Sequence, residues 1–297
     1  MMRYSYFPGC SMGATAVTYK RSIEYVAEKI GMELNEIPDW NCCGATCAHS
    51  KGHWLGLALP ARNLALAEKE GLGLDIAVPC ASCYSRMKHT VHAAREDESV
   101  RQKLEEIAGM PYAAKADVLS FLEIFSRPDV MEICKKEIIR SLNGLKVACY
   151  YGCLTVRPKE VAGCGNTENP TQMDEVVALT GAEPVEWDFK TECCGASHQV
   201  DSPDAARLLI ERIFRNAKAS GATAIATACP LCNLNLDMRV EEINRMRGTA
   251  FDIPVYQFTE LLAVCMGASA NDSGLNKHFY PAYDRINETL RKAGEAS

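Results

Sequence analysis

Short apolar segments alternate with longer segments of helical periodicity along this chain. Four apolar segments bounded by glycine or proline predict buried strands, at 3–7, 75–78, 145–151 and 222–228. Five segments repeat apolar positions at helical spacing, at 15–30, 54–70, 204–220, 259–266 and 283–292. Because crossover helices connect parallel strands, this alternation predicts an α/β fold with mostly parallel sheets flanked by helices.

The same order of elements occurs twice, in residues 1–94 and 145–245, with corresponding cysteines 143 to 151 residues apart. A repeat of this length indicates duplicated domains rather than a solenoid of short units. We therefore predict a first domain at 1–144 that ends in a helical connector over 95–144, a second domain at 145–266 and a C-terminal tail at 267–297.

Ten of the fifteen cysteines follow one pattern written twice: a lone cysteine, a vicinal Cys-Cys-Gly, and a Cys-x-x-Cys pair. The first quintet is Cys10, Cys42, Cys43, Cys80 and Cys83. The second quintet is Cys153, Cys193, Cys194, Cys229 and Cys232. Zinc sites and cubane clusters use four ligands, so a repeated set of five thiols indicates a larger metal group.

The lone cysteines and the Cys-x-x-Cys pairs lie where the predicted strands end. Ligands of open α/β sheets gather at the carboxyl ends of the strands, so we expect each quintet to come together there. Gly44 and Gly195 follow the vicinal pairs and permit backbone conformations that other residues avoid. The sequence therefore predicts two metal–thiolate centres, one in each copy.

Composition excludes several classes of protein. A formal net charge of −6 disfavours a nucleic-acid-binding protein, which would carry a basic face. No apolar run approaches the ~20 residues that span a bilayer, and no apolar signal segment opens the sequence. We therefore expect a cytoplasmic protein without a transmembrane segment. In a reducing compartment, clustered cysteines bind metal or perform redox chemistry.

Both quintets resemble the cysteine-rich CCG domain family, and two such domains in one chain resemble the B subunits of heterodisulfide reductases from methanogenic archaea. The resemblance covers most of residues 1–245. It implies that each quintet holds a noncubane [4Fe–4S] cluster, with all ten cysteines as ligands.

The resemblance also implies a catalytic function: reduction of the mixed disulfide of coenzyme M and coenzyme B to two thiols, between two clusters that each pass one electron at a time. The sequence contains no ferredoxin-type cysteine run, dinucleotide-binding fingerprint or P-loop. Electrons would then come from partners, which in this family are a small ferredoxin-like subunit and a flavin-bearing subunit, joined by a hydrogenase or a formate dehydrogenase.

Both coenzymes are anionic, so cations near the cysteines are candidates for binding them. These candidates are His49, Lys51, His53, Arg86, Lys88, Arg157, Lys159 and His198. For each of them taken singly, a solvated surface charge is the more ordinary explanation.

Three alternatives remain open: a subunit of a succinate dehydrogenase that acts on quinone at a membrane, a subunit of thiol:fumarate reductase type, and a zinc-stabilised scaffold that docks partners. The five other cysteines are not assigned to metal: Cys47, Cys134, Cys149, Cys164 and Cys265. Of these, Cys149 and Cys265 lie in apolar runs and are expected to be buried.

Overall fold

The computed structural model describes residues 2–45, 47–70 and 73–295, and two parallel four-stranded sheets lie within them. The first sheet has the order β2-β1-β3-β4, with β1 at Met2–Tyr6, β2 at Met32–Glu36, β3 at Ile76–Val78 and β4 at Val118–Ser120. The second has the order β6-β5-β7-β8, with β5 at Lys146–Tyr150, β6 at Glu183–Pro184, β7 at Ala224–Thr227 and β8 at Val255–Gln257. The predicted duplicated α/β fold is confirmed.

Helices flank both sheets. In the first half they are α1 (Val17–Lys29), α2 (Ala48–Lys51), α3 (His53–Lys69), α4 (Ala81–Glu96), α5 (Glu98–Ala108), α6 (Phe121–Phe125) and α7 (Pro128–Glu137). In the second they are α8 (Gln172–Ala178), α9 (Pro203–Ala219), α10 (Pro230–Arg247), α11 (Phe258–Cys265), α12 (Ala270–Ser273) and α13 (Ala282–Glu295). No helix in the described ranges combines the length and apolarity needed to cross a bilayer.

Helix α1 shows how the pattern of apolar residues determines packing. Tyr19, Ile23 and Val26 are all 0% exposed and recur at helical spacing, so they form one apolar face. The helix ends just before Gly31, whose φ of +68° supplies the left-handed residue common at helix ends.

The stretch 95–144 contains a strand that its helical pattern does not predict. Helices α5, α6 and α7 lie there, as expected, but β4 lies among them and forms an edge of the first sheet. The strand is three residues long, which is too short to show an alternating pattern. It pairs in parallel with β3, from Ile76 opposite Val118 to Val78 opposite Ser120.

The two halves share a hydrophobic core. Residues of β1 and α1 belong to the same buried cluster as residues of α11. The Ser22 and Thr259 hydroxyls, both buried, lie 2.7 Å apart in a hydrogen bond between α1 and α11. The ring of Phe258 also makes edge contacts with the rings of Tyr19 and Phe125 from the first half. The halves therefore form one packed unit.

A buried histidine fixes the C-terminal segment to the second half. His278 is 1% exposed in its side chain, and its Nε2 lies 3.1 Å from both carboxylate oxygens of Glu260. Its Nδ1 lies 3.5 Å from the Asp237 carboxylate, which also accepts a hydrogen bond from the Phe279 backbone N–H. Burial lowers the pKa of His278, but the two carboxylates outweigh it and raise the pKa to about 10.

Replacing His278 by glutamine is expected to destabilise the protein by about 3–5 kcal/mol near pH 6, because two buried carboxylates lose their cationic partner. A histidine pKa raised from 6.5 to about 10 stabilises the fold fully below about pH 6.5, and this contribution is lost as the pH rises through about 10. Urea unfolding of the wild type and H278Q at several pH values measures the difference.

The control is H92Q, which removes an exposed histidine of α4. The free energy of unfolding of H92Q should match that of the wild type at each pH measured. If the free energies of unfolding of H278Q and the wild type differ by the same amount at pH 6 and at pH 10, His278 is not the protonated partner of the two carboxylates.

Candidate functional site

Four strands lead into cysteines that lie a few residues beyond the strand ends. These strands are the two central ones of each sheet. A lone cysteine follows one central strand and a Cys-x-x-Cys pair follows the other: Cys10 after β1, Cys80 after β3, Cys153 after β5 and Cys229 after β7. Strands β1 and β3 are neighbours in the first sheet, and β5 and β7 are neighbours in the second. The parallel strands thus deliver their cysteines to one edge of each sheet, where the sequence predicts them.

The loop that carries each lone cysteine packs against the last cysteine of the same copy. Gly9 and Gly152 precede the lone cysteines and have φ of +72° and +70°. A Cβ on Gly9 would lie 3.2 Å from the Cys83 sulfur, and one on Gly152 would lie 3.3 Å from the Cys232 sulfur. The two copies repeat this approach almost identically: the backbone conformation favours glycine at both positions, and an added Cβ would also make a tight contact with a cysteine sulfur.

The loops of the vicinal pairs are alike as well. Gly44 and Gly195 adopt φ of +74° and +75°. The Gly44 backbone nitrogen lies 3.5 Å from the Cys42 sulfur, and the Gly195 nitrogen lies 3.3 Å from the Cys193 sulfur. Backbone amides therefore face the sulfurs, which favours an anionic group at this position.

The other cysteine of each vicinal pair contacts the Cys-x-x-Cys pair. The sulfur atoms of Cys43 and Cys83 are 3.1 Å apart, and those of Cys194 and Cys232 are 3.4 Å apart. Since neighbouring side chains diverge, each vicinal pair divides its thiols between different partners. The first thiol of each vicinal pair interacts with the lone cysteine, Cys42 with Cys10 and Cys193 with Cys153, so the thiols of each quintet come together.

One thiol of the first quintet, Cys43, and two of the second, Cys193 and Cys229, have a lowered pKa. A hydrogen bond from Cys83 is the main cause that lowers the pKa of Cys43 to about 7, against the opposing effect of burial. A hydrogen bond from Cys153 likewise lowers the pKa of Cys193 to about 6. Their neighbours Cys10, Cys80, Cys83, Cys153 and Cys232 have a raised pKa, so each site combines thiols that ionise easily with thiols that hold their proton.

The two sites adjoin each other across the interface between the halves. Cys229 belongs to the hydrophobic cluster of the first half that contains Cys80 and Cys83. Hydrogen bonds from Cys232 and from Cys80 lower the pKa of Cys229, and Cys229 in turn raises the pKa of Cys80. The ten thiols therefore form two adjoining sites that meet at their Cys-x-x-Cys turns.

The sites are partly open to solvent. Cys10 and Cys42 are exposed, whereas Cys43, Cys80 and Cys83 are buried. In the second copy Cys153, Cys193 and Cys232 are half-buried, and Cys194 and Cys229 are buried. The lone cysteines and the first cysteines of the vicinal pairs thus form the accessible side.

The donors around the thiols fit an iron–sulfur group. Buried hydroxyls without a hydrogen-bond partner occur at Ser85 and Thr155, each two residues beyond a cysteine of a quintet. Thiolates, facing amides and unpaired hydroxyls are the groups that ligate and solvate cluster sulfur. Within the described residues, no three Cys, His, Asp or Glu side chains surround a position for a single metal ion.

The candidate basic residues are divided between exposed positions and ion pairs. His49, Lys51, His53 and Lys159 are exposed, and Arg86 is half-buried. Three others contact carboxylates: Lys88 lies 4.0 Å from Glu123, Arg157 lies 3.5 Å from Glu168, and His198 lies 3.6 Å from Asp201. Their binding of anions stays a prediction.

The remaining cysteines are mostly ordinary core residues. Cys149 and Cys265 are 0% exposed, as expected from their apolar surroundings. Cys134 and Cys164 are also buried, and burial raises the pKa of each, in Cys134 to about 12. Cys47 is exposed.

Sequence reasoning missed the aromatic residues around the sites. Tyr84, the residue after Cys83, accepts a 2.9 Å hydrogen bond from the backbone N–H of Gly163, ten residues beyond Cys153. Its hydroxyl thereby ties the first Cys-x-x-Cys helix to the loop that carries the second lone cysteine. The position of Tyr84 next to a cysteine was visible in the sequence, but its partner lies 79 residues away.

Comparison with known proteins gives matches for both halves. The family model for the CCG cysteine-rich domain matches residues 4–88 and 147–237. The membrane anchor subunit of the 8-methylmenaquinol:fumarate reductase of Wolinella succinogenes is 30% identical, over 94% of this chain and 97% of its own length. The B subunit of the ferredoxin/F420H2-dependent CoB-CoM heterodisulfide reductase of Methanosarcina acetivorans is 31% identical, over 94% of each chain.

A crystal structure of a hypothetical protein from Helicobacter pylori has a similar fold, with a TM-score of 0.70 at 11% identity. The alignment covers 95% of this chain and 52% of that one, so this chain spans about half of its length. This likeness concerns the fold alone. Each family match contains one cysteine quintet and most of three strands of one sheet, and relatives at 30% identity or more extend over nearly the whole length; the chain belongs to the CCG cysteine-rich domain family.

Proposed function

We propose that this chain is the disulfide-reducing subunit of a heterodisulfide reductase. It holds two noncubane [4Fe–4S] clusters on Cys10, Cys42, Cys43, Cys80 and Cys83 and on Cys153, Cys193, Cys194, Cys229 and Cys232. Its substrate is the mixed disulfide of coenzyme M and coenzyme B. Such clusters, when bound, supply one electron each, and cleavage of a disulfide to two thiols consumes two electrons.

The observation that carries this proposal is the contact between the two quintets. Cys229 packs in the same buried cluster as Cys80 and Cys83, and the Cys80 and Cys229 thiols shift each other's pKa, so the two sites adjoin. Two separate electron-transfer centres would need only to lie within electron-transfer distance. Adjoining sites of the same construction suit a substrate with two chemically similar ends, such as the two sulfurs of a disulfide. The Methanosarcina relative is named for this reaction.

The chain itself would position the substrate and limit the access of water. Buried residues on the inner side enclose Cys43, Cys80 and Cys83, while Cys10 and Cys42 face solvent. His49 and Lys51 on α2 and His53 at the start of α3 are exposed next to the first vicinal pair. They are placed to attract the sulfonate, carboxylate and phosphate groups of the two coenzymes.

Electrons would reach this chain from partner proteins. We propose a cytoplasmic complex with a small ferredoxin-like subunit and a flavin-bearing subunit, in which a hydrogenase or a formate dehydrogenase is the source of electrons. The names of the relatives support a place in a multi-subunit enzyme, because each is called a subunit.

A second candidate is a quinone-linked redox function on a membrane surface. The Wolinella relative is named as the membrane anchor of a menaquinol:fumarate reductase. Apolar side chains are exposed in the segments that follow both vicinal pairs and inside the second Cys-x-x-Cys pair: Trp54 by 43%, Leu55 by 45%, Val200 by 96% and Leu231 by 38%. Leu231 lies inside the second Cys-x-x-Cys pair. Such residues suit contact with lipid or with an apolar ring.

Protein purified without oxygen is expected to contain about eight irons and eight acid-labile sulfides per chain, the content of two four-iron clusters. Cys43→Ala and Cys194→Ala should each lose about half of the iron, because each removes a sulfur that contacts the Cys-x-x-Cys pair of its own copy. Metal and sulfide analysis together with electron paramagnetic resonance measures the content.

The control is Cys134→Ala, which removes a cysteine that is 1% exposed and lies outside both quintets. It should keep its full iron content. One or two zinc ions without sulfide in the wild type would contradict the redox function and leave a structural or docking role.

Gly44→Ala is expected to reduce cluster occupancy in the first site. A Cβ there would lie 2.7 Å from both Ala48 Cβ and Leu59 Cδ1, so the vicinal loop must move. Gly31→Ala is the matched control, since Gly31 has a similar φ of +68° but nothing within 4 Å of an added Cβ. Both variants carry the strain of a left-handed alanine, about 1–2 kcal/mol, and only Gly44→Ala should lose iron.

Turnover distinguishes the two candidate functions. The reduced full chain with its partner proteins is expected to cleave the coenzyme M–coenzyme B disulfide and to leave a short-chain menaquinone analogue unreduced. It should also remain unbound in a flotation assay with phospholipid vesicles. Quinone reduction together with vesicle binding, both weakened by Trp54→Ser, would reject the disulfide as substrate in favour of the second candidate.

A further inference from the structure

Tyr19 is a fully buried tyrosine whose hydroxyl has no hydrogen-bond partner. It lies on α1, nine residues after Cys10, and its ring contacts the Phe258 ring edge-on at a centroid distance of 6.4 Å. An unpaired buried hydroxyl is costly, so native proteins generally give it a partner. We therefore expect the Tyr19 hydroxyl to have a hydrogen-bond partner that this chain does not supply.

Strand register places Tyr19 next to the second Cys-x-x-Cys turn. In the second sheet Thr227 pairs with Gln257, so Phe258 comes level with Ala228, the residue before Cys229. Tyr19, Phe258 and Ala228 belong to the same buried cluster. The Tyr19 ring is thus packed beside the end of β7, where the chain turns into Cys229.

Strand register places Tyr6, which acts on the pKa of Tyr19, close to the first turn. Tyr6 pairs with Ala77, three residues before Cys80, and both belong to the same cluster as Tyr19. The Tyr6 hydroxyl is likewise buried and without a partner. Burial raises the pKa of Tyr19 well above its usual value, and the thiols of Cys229 and Cys80 add to this rise. Tyr19 is thus packed near the junction of the two turns, with its hydroxyl buried and unpaired.

We propose that the Tyr19 hydroxyl donates a hydrogen bond to an anionic sulfur held where the Cys80 and Cys229 turns meet, and so acts as a positioning residue for both sites. This inference rests on the proposed function, because it requires a sulfur group bound there. A cluster sulfide and a sulfur of the disulfide substrate share this chemistry. Hydrogen bonds to such sulfurs stabilise the more negative, reduced form and raise the reduction potential.

Tyr19→Phe tests the hydrogen bond in the full chain purified without oxygen. The variant should bind iron and sulfide as the wild type does. The equilibrium constant for one-electron reduction should fall about tenfold, which lowers the reduction potential by about 59 mV. The potential is measured by redox titration followed by electron paramagnetic resonance. A shift in the absence of disulfide identifies a cluster sulfur as the acceptor, whereas a shift seen only with added disulfide identifies a substrate sulfur.

Tyr112→Phe is the matched control. Tyr112 is also buried, at 1% exposure, and its hydroxyl also has no partner, but the groups that act on its pKa, after burial, are Glu68 and Arg95 rather than thiols. It should leave the potential unchanged. Incorporation of 3-fluorotyrosine at position 19 keeps the ring and strengthens the donor, so it should shift the potential in the opposite direction to Tyr19→Phe.

Unchanged potentials in both Tyr19 variants, with and without disulfide and with full iron content, would overturn the inference and leave the proposed function intact. Equal shifts in the Tyr19→Phe and Tyr112→Phe variants would overturn it as well, since they would show a general effect on the fold. Absence of iron and sulfide from the wild type would instead reject the proposed function, and the inference with it.

Discussion

The contact between the two Cys-x-x-Cys turns is the constraint on which the rest of this structure depends. Each turn lies between a buried parallel strand and the first turn of a helix, α4 in the first half and α10 in the second. The positive end of each helix dipole therefore points towards the sulfurs and favours negative charge there. Because Cys229 packs against the first half in one buried cluster with Cys80 and Cys83, the position of one sheet relative to the other is fixed.

That relation is maintained by an exchange of segments between the halves. The segment after Cys10 leads into α1, which packs on α11 of the second half and hydrogen bonds to it through Ser22 and Thr259. The segment after Cys153 reaches back to the first half, where the Gly163 N–H donates to Tyr84. The segment that follows each lone cysteine is thus held by contacts with the other half.

The two halves use different charges at equivalent places. Lys88 lies five residues after Cys83 and 4.0 Å from Glu123, a capping residue of α6. Asp237 lies five residues after Cys232, and the equivalent capping residue of α11 is Glu260. Two carboxylates there would repel each other, and His278 from the C-terminal segment lies between them. The C-terminal segment therefore supplies the positive charge between these two carboxylates, although its sequence carries no recognisable motif.

The sequence by itself determined the duplicated α/β fold and the placement of cysteines at strand ends, because glycine, proline and apolar periodicity are local signals. It also indicated that glycine is needed at positions 44 and 195, because the backbone after each vicinal cysteine pair has a positive φ that other residues rarely adopt. Only the tertiary structure decided that the quintets adjoin, that α1 crosses to the second half, that Tyr19 is buried without a partner, and that His278 is buried between two carboxylates. These facts depend on contacts between residues far apart in the chain, for which no local pattern exists. The three-residue β4 escaped prediction for the same reason, since pairing with β3, rather than any periodicity of its own, makes it a strand.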